Sequence, residues 1–227
     1  MSATGDSQLW REALIDVYEL VRYAILRAWP DCQAKIRLYV PPPKPKRRSG
    51  RNRKSVPLED PITRGLIIRL RRDDTLRFRF FIDSQRELLP DSLRDGVSNP
   101  LGYLDIAIQF FIQMKQVCLA LECKRLNVRR PEGRATLATE YVEKGMMRFV
   151  TGQYSRDLPL GGMIGYVMDG DLEGAHGAIR RKIEEVAVPL RCASPYIVVL
   201  QHPEYFSTDH ARSPVPIQLR HLLLPAD

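Results

Sequence analysis

Two apolar, strand-length segments constrain the fold of this chain most strongly. In GYLDIAIQF (102–110) every second residue from Leu104 to Phe110 is apolar, and in VCLALECKRLN (117–127) the same holds from Val117 to Cys123. Successive side chains of a β-strand point to opposite faces, so each segment predicts a strand with one fully apolar face. The link around Gln113–Gln116 is short enough to join the two strands as an antiparallel hairpin.

The rest of the chain alternates between helical and strand patterns. Apolar residues at steps of three and four predict an amphipathic helix over 8–29, which Pro30 ends. A second helix is expected over 58–72, with Asp60 as its N-cap and Pro61 at its first position. Further helices are expected at about 136–151 and 171–187. Further strands are expected at 76–82, 161–170, 194–200 and 217–224, with polar turn residues over 83–100. This order predicts an α/β fold, a mixed central β-sheet flanked by helices, with an N-terminal helix.

The positive charge of the chain is concentrated in one short segment. Lys and Arg total 35 against 27 acidic residues, a formal net charge of +8. Seven of these cations, and no acid, lie in the proline-rich segment 41–57: Lys44, Lys46, Arg47, Arg48, Arg51, Arg53 and Lys54. We expect a flexible loop that contacts a nucleic-acid backbone; a localisation signal, a lipid-binding patch and a solubilising linker are the alternatives. The predicted organisation is an N-terminal helical segment (1–40), this basic loop (41–57) and a single core (58–227).

Other classes of protein are disfavoured by what the sequence lacks. No stretch approaches the ~18 uncharged apolar residues of a membrane span, and acids interrupt the N-terminus before any signal-peptide core, so we expect a cytoplasmic protein without a membrane partner. The four cysteines and four histidines have no metal-ligand spacing, which argues against zinc and for reduced thiols. A GxSxG nucleophile motif and a P-loop are also missing.

Three charged residues interrupt the two apolar strands. Glu122 and Lys124 are two residues apart and therefore share a face of their strand, and Asp105 lies on the neighbouring strand of the predicted hairpin. Two carboxylates brought close together repel each other, and a divalent cation neutralises them. Oxygen ligands without His or Cys favour Mg²⁺, for which Mn²⁺ can substitute. The alternative is a salt bridge from Lys124 to either acid at the rim of the sheet.

These segments resemble the PD-(D/E)XK nuclease superfamily. The resemblance is carried by LEDPITRGLIIRL (58–70), GYLDIAIQF and LALECKRLN, and it covers most of the chain from about residue 58. It implies a restriction-endonuclease-like core that hydrolyses phosphodiesters with one or two Mg²⁺ ions. It assigns Asp105 and Glu122 to the metal, Lys124 to catalysis, and Glu59 to a further metal-binding acid. Asp105 follows a leucine where the motif has proline, and Glu59 also fits a simpler role as a charge beside the start of a helix.

The helix predicted at 136–151 supplies further candidates. In the superfamily the corresponding helix lines the site, so Tyr141, Arg148 and Gln153 are candidates for contacting the phosphate backbone. A solvated helix face is the alternative for each of them.

Taken together, the sequence predicts a Mg²⁺-dependent nuclease acting on DNA or RNA. A small nuclease without a sequence-reading module fits the effector subunit of a prokaryotic defence or restriction system, with a protein partner for targeting or sensing. The resemblance also allows a homodimer. The alternative is a non-catalytic nucleic-acid-binding or assembly subunit on the same fold.

Overall fold

The computed structural model describes residues 3–37, 59–88, 102–130, 133–192 and 203–227. The helices are α1 (Ala3–Arg37), α2 (Glu59–Leu70), α3 (Met147–Val150) and α4 (Leu172–Glu185), and a π-helical segment (Glu140–Met146) leads directly into α3. The strands are β1 (Phe81–Leu88), β2 (Gly102–Ile112), β3 (Lys115–Leu126), β4 (Val128–Arg130), β5 (Gly133–Ala135), β6 (Leu160–Val167), β7 (Tyr205–His210) and β8 (Ile217–Pro225).

Six strands form one mixed sheet in the order β1-β2-β3-β6-β8-β7. The outer pairs are antiparallel, whereas β6 runs parallel to both β3 and β8. β4 and β5 form a separate small hairpin. The predicted α/β fold with a mixed sheet, flanking helices and an N-terminal helix is therefore confirmed.

Helices cover both faces of the sheet. α1 and α2 pack on one face, where Leu66, Ile106 and Leu119 are fully buried. The π-helical segment, α3 and α4 cover the other face, where the small side chains of Ala107 and Ala120 lie beneath them. Every residue of β6 is buried, as expected for a central strand between parallel neighbours. No helix in the described ranges has the length and apolar character to cross a bilayer.

The predicted hairpin of β2 and β3 is confirmed. Gln113 and Met114 form its turn with φ angles of 48° and 65°, the left-handed conformation that tight two-residue hairpin turns require. β6, β8, α2 and α4 also lie where the sequence predicts them, and the segment 136–151 is helical from Ala138 to Val150. Strands β4, β5 and β7 were not predicted. The predicted strand at 194–200 and the basic loop lie outside the described residues.

The prediction that Pro30 ends the first helix is wrong. Pro30 lies inside α1, which continues to Arg37. A proline within a helix costs about 3 kcal/mol, so the surrounding contacts must offset this cost. Trp29 and Cys32 on either side are buried; the Trp29 ring stacks on Tyr166 with centroids 5.5 Å apart, and its Nε1 donates to the carbonyl of Pro225 at 2.7 Å. Packing onto the sheet therefore maintains the helix through the proline.

The strand predicted at 76–82 is misplaced and overlaps the observed strand only at residues 81–82. Residues 74–79 form turns, and β1 begins at Phe81 and runs to Leu88, into the segment predicted to be a loop. The carboxylate of Asp73 accepts a hydrogen bond from the backbone of Thr75 at 2.9 Å, and its carbonyl accepts one from Arg77 at 2.9 Å. Such local bonds stabilise a turn against an extended strand. Similarly, Asp60 does not cap α2 from outside, because the helix begins at Glu59.

Candidate active site

The candidate site lies where β2 and β3 separate. Their pairing runs from the hairpin turn as far as Ile106 and Leu121. Beyond that point a side chain takes the place of the backbone carbonyl as hydrogen-bond acceptor. Oδ2 of Asp105 accepts a hydrogen bond from the amide of Cys123 at 2.7 Å. Asp105 is therefore fixed against β3 at Cys123, between Glu122 and Lys124 in sequence.

Lys124 joins the two carboxylates. Its Nζ lies 2.5 Å from Oε1 of Glu122 and 3.9 Å from Oδ2 of Asp105, and it also donates to the carbonyl of Cys123 at 2.9 Å. The Lys124 side chain is 13% exposed and that of Glu122 is completely buried. The three residues that the sequence singles out thus meet around one ammonium group.

Arg148 and Tyr154 complete the polar cluster. Nη1 of Arg148 donates to Oε1 of Glu122 at 2.8 Å and to the hydroxyl of Tyr154 at 2.6 Å. The Tyr154 hydroxyl in turn donates to the carbonyl of Tyr103 at 2.6 Å, two residues before Asp105. The sequence predicts Arg148 only as a contact to the phosphate backbone, and it does not predict Tyr154, which follows the helix in a loop without any periodic pattern.

Glu122 is the electrostatic centre of the cluster. Burial raises the pKa of its carboxyl to about 7, and the nearby Asp105 carboxylate raises it as well, while Lys124 and Arg148 act in the opposite direction. Only Oε1 receives the two cations; Oε2 is buried and has no hydrogen-bond partner within the described residues. An unsatisfied buried carboxylate oxygen is rare in native proteins and points to a missing ion or water.

The donor set fits a small divalent cation. Asp105 and Glu122 offer carboxylate oxygens, the ligand type that Mg²⁺ prefers, and the unpartnered Oε2 of Glu122 is available for one. No group of three or more His, Cys, Asp or Glu side chains that could hold a metal ion occurs in the described part of the chain. Water and substrate oxygens would therefore complete the coordination, as is usual for Mg²⁺. Glu59 is the first residue of α2, and its side chain lies outside what the structure describes.

The other sequence-predicted residues have different outcomes. Tyr141 is fully buried, and its hydroxyl shares a hydrogen bond with Nδ1 of His221 at 3.0 Å, so the prediction that it contacts a phosphate backbone is wrong. Tyr141 lies on the buried side of the π-helical segment, together with Val142 and Met146, and its hydroxyl is satisfied inside the core by His221. Gln153 is half-buried in the loop after α3. The seven cations of the basic loop lie outside the described residues.

Comparison of the chain with protein-family models, with curated proteins and with solved structures found no match. The resemblance to the PD-(D/E)XK superfamily therefore stays a prediction, and its support is the local geometry of Asp105, Glu122 and Lys124.

Proposed function

We propose that this protein is a Mg²⁺-dependent nuclease of the PD-(D/E)XK type, with Mn²⁺ as a substitute ion, that hydrolyses phosphodiester bonds of DNA or RNA. The observation that carries the proposal is Glu122. It is completely buried at the end of an apolar strand, next to Asp105 and Lys124, and one of its oxygens has no partner within the described residues. A buried carboxylate costs stability unless it is paired, and the pairing by Lys124 and Arg148 reaches only Oε1, so the second oxygen favours a functional role.

Each residue has a distinct chemical role in this proposal. Asp105 and Glu122 would hold the ion, which supplies a Lewis acid and lowers the pKa of bound water. Lys124 places an ammonium between the two carboxylates, where it can orient the attacking water or stabilise negative charge on the phosphoryl oxygens. Arg148 is held by Glu122 and Tyr154 through Nη1 alone, and its side chain is 36% exposed, so it can also donate to a phosphate oxygen.

The test is a cleavage assay on end-labelled single- and double-stranded DNA and RNA in Mg²⁺, Mn²⁺ or EDTA. We expect cleavage only with a metal ion, and we expect Asp105→Asn and Lys124→Ala to lower the rate at least about 100-fold. Lys144→Ala is the matched control, because Lys144 is an exposed lysine of the same helical layer that pairs only with Glu140 among the ion pairs seen. Cutting that persists in both site variants would exclude this active site.

A second function is favoured by one specific observation. The two acids are already balanced by two cations, Lys124 and Arg148, without any metal ion. A non-catalytic nucleic-acid-binding or assembly subunit would keep such a cluster for structure alone. It predicts binding that is salt-dependent, indifferent to Mg²⁺ and unchanged by Asp105→Asn.

The wider setting is proposed by analogy with stand-alone nuclease domains. It comprises a cytoplasmic location, a role as effector of a prokaryotic defence or restriction system, a protein partner for targeting or sensing, and a homodimer. Light scattering of the purified protein and co-purification from its native host test the last two points.

A further inference from the structure

Two open grooves on the surface share Arg156 as a lining residue. The first, of about 510 Å³, lies between the start of β3 and the segment 155–158. The second, of about 450 Å³, lies between residues 151–153 and Ser213. Arg156 lines both, and we call the surface that the two grooves form along the segment 151–158 the loop groove.

Hydrogen bonds from a buried arginine fix the backbone that forms the wall of the loop groove. Arg212 is 6% exposed, and its guanidinium donates to four backbone carbonyls of this region at 2.8–3.3 Å: those of Phe149, Tyr154, Ser155 and Leu158. A buried cation with this many acceptors fixes the path of the segment. The groove is therefore formed before any ligand arrives, which lowers the entropy cost of binding.

The lining of the loop groove suits a single nucleic-acid strand. Lys115 and Arg156 provide positive charge against one carboxylate, Asp157, and Gln116 and Gln153 provide amides. The Trp10 ring lines the same groove, with Nζ of Lys115 at 5.7 Å from its centroid. Cations that follow a backbone, together with an aromatic ring on which a base can stack, are the usual means of binding single strands.

The loop groove and the candidate active site lie along the same face of β3. Cys118 lies in the groove and on the same face of β3 as Glu122, four residues further along, a distance of roughly 14 Å. Tyr154, within the segment that forms the wall, contacts Arg148 directly. The segment that forms the wall of the groove is therefore joined by a hydrogen bond to the candidate site.

We propose that the loop groove binds a single-stranded segment of the nucleic acid next to the bond to be cut, which rests on the proposed nuclease function. A duplex hides the faces of its bases inside the stack, so only an unpaired strand can place a base on Trp10. The occupant that the groove favours is therefore single-stranded DNA or RNA, or an unpaired end of a duplex.

The test is equilibrium binding in EDTA, so that cleavage does not enter. The probes are fluorescein-labelled 12-nucleotide single strands of DNA and RNA and a blunt 12-base-pair duplex, measured by anisotropy between 50 and 300 mM salt. For single strands we expect Lys115→Ala and Arg156→Ala each to lower the slope of log affinity against log salt by about 0.7. Trp10→Leu should weaken single-strand binding about 5- to 100-fold, and Trp10→Phe, which keeps a ring, should largely restore it.

Matched controls separate the groove from the general charge of the protein. Arg64→Ala and Arg72→Ala remove exposed arginines on the α2 side of the molecule and should leave the slope unchanged. Thermal melting of each variant establishes that it is folded. If the groove variants bind single strands like the wild type, or lose duplex binding equally, the inference is wrong. Because binding in EDTA is independent of cutting, failure of the nuclease assay would leave this result interpretable.

Discussion

At the scale of single residues, the main question is why this fold retains Glu122. A fully buried carboxylate with one unpartnered oxygen is unfavourable for folding, and its raised pKa of about 7 expresses that cost. Lys124 and Arg148 both bind the other oxygen, so the pairing they provide is incomplete. A bound cation would offset the cost of burying the second oxygen of Glu122.

The first prediction concerns stability and pH. The folded-state pKa of Glu122 is raised from 4.5 to about 7, so the folded protein binds more protons than the unfolded chain between these values. Its contribution to stability is therefore complete below about pH 4.5 and is lost as the pH rises through about 7. Glu122→Gln cannot titrate, and we expect its unfolding free energy relative to wild type to rise by about 2–3 kcal/mol from pH 5 to pH 8.

Urea denaturation in EDTA at pH 5, 6, 7 and 8 measures this difference. Comparing the two proteins at each pH cancels the buried histidines His210 and His221, whose pKa values are lowered by burial and which act on both proteins alike. If the unfolding free energies of the two proteins change with pH in the same way, the raised pKa of Glu122 is contradicted.

The second prediction concerns metal binding without any enzyme assay. An ion that binds only the folded state raises its stability, by about 2.7 kcal/mol at a hundredfold excess over Kd, which is several degrees in Tm for a chain of this size. We expect Mg²⁺ to raise the Tm of the wild type and not that of Asp105→Asn. Ca²⁺ and extra NaCl at equal ionic strength are the controls for site geometry and for salt. An equal Tm rise in the variant would place the ion elsewhere.

At the scale of elements, the π-helical segment decides how closely the helical layer approaches the site. Gly145 faces β3 and β6 from this segment; a Cβ there would lie 2.6 Å from Cε of Met163 and 3.6 Å from Cγ of Lys124. A side chain at this position would require the methyl end of the buried Met163 to move. The glycine therefore positions the helix directly over the lysine of the candidate site.

The third prediction tests this packing with a matched pair. Gly145→Ala should destabilise the protein by about 1–3 kcal/mol, because the buried Met163 must move, and it should also lower cleavage through Lys124. Gly177→Ala in α4 meets nothing closer than 3.6 Å, so the higher helix propensity of alanine should stabilise it by about 0.5–1 kcal/mol. Urea denaturation compares the two. A stabilising effect at both positions would mean that the segment can draw back from the sheet.

At the scale of the whole molecule, positive charge and candidate chemistry are separate in the sequence. The chain has a net charge of +8, and residues 44–54 contribute seven cations and no acid. The rest of the chain is therefore close to neutral. The cluster of Asp105, Glu122, Lys124 and Arg148 lies in the folded core and is itself balanced. Affinity for a polyanion and the capacity to cut it should therefore be separable by mutation.

The fourth prediction follows from this separation. Replacing the seven cations of 44–54 by glutamine should weaken binding to all nucleic acids without regard to sequence, and should lower the salt slope for single strands by up to about 5. Cleavage at saturating substrate should be retained, because the site residues are unchanged. Loss of cutting under saturating conditions would show that the basic segment takes part in the site itself.

The sequence alone determined those structural features that depend on short-range periodicity. The two-residue period of a strand places Glu122 and Lys124 on one face, and the short link predicts the hairpin that brings Asp105 beside them. These features need no knowledge of distant residues. The fold class followed for the same reason, since it depends on the order of local patterns.

Only the tertiary structure decided the features that depend on contacts distant in sequence. Packing of Trp29 on the sheet maintains α1 through Pro30, and packing of the helical layer buries Tyr141 against His221. Tyr154 reaches the site through hydrogen bonds to Arg148 and to the carbonyl of Tyr103, which is 51 residues away. No local pattern encodes such pairings, because their energy comes from side chains that meet only once the sheet and both helical layers have assembled.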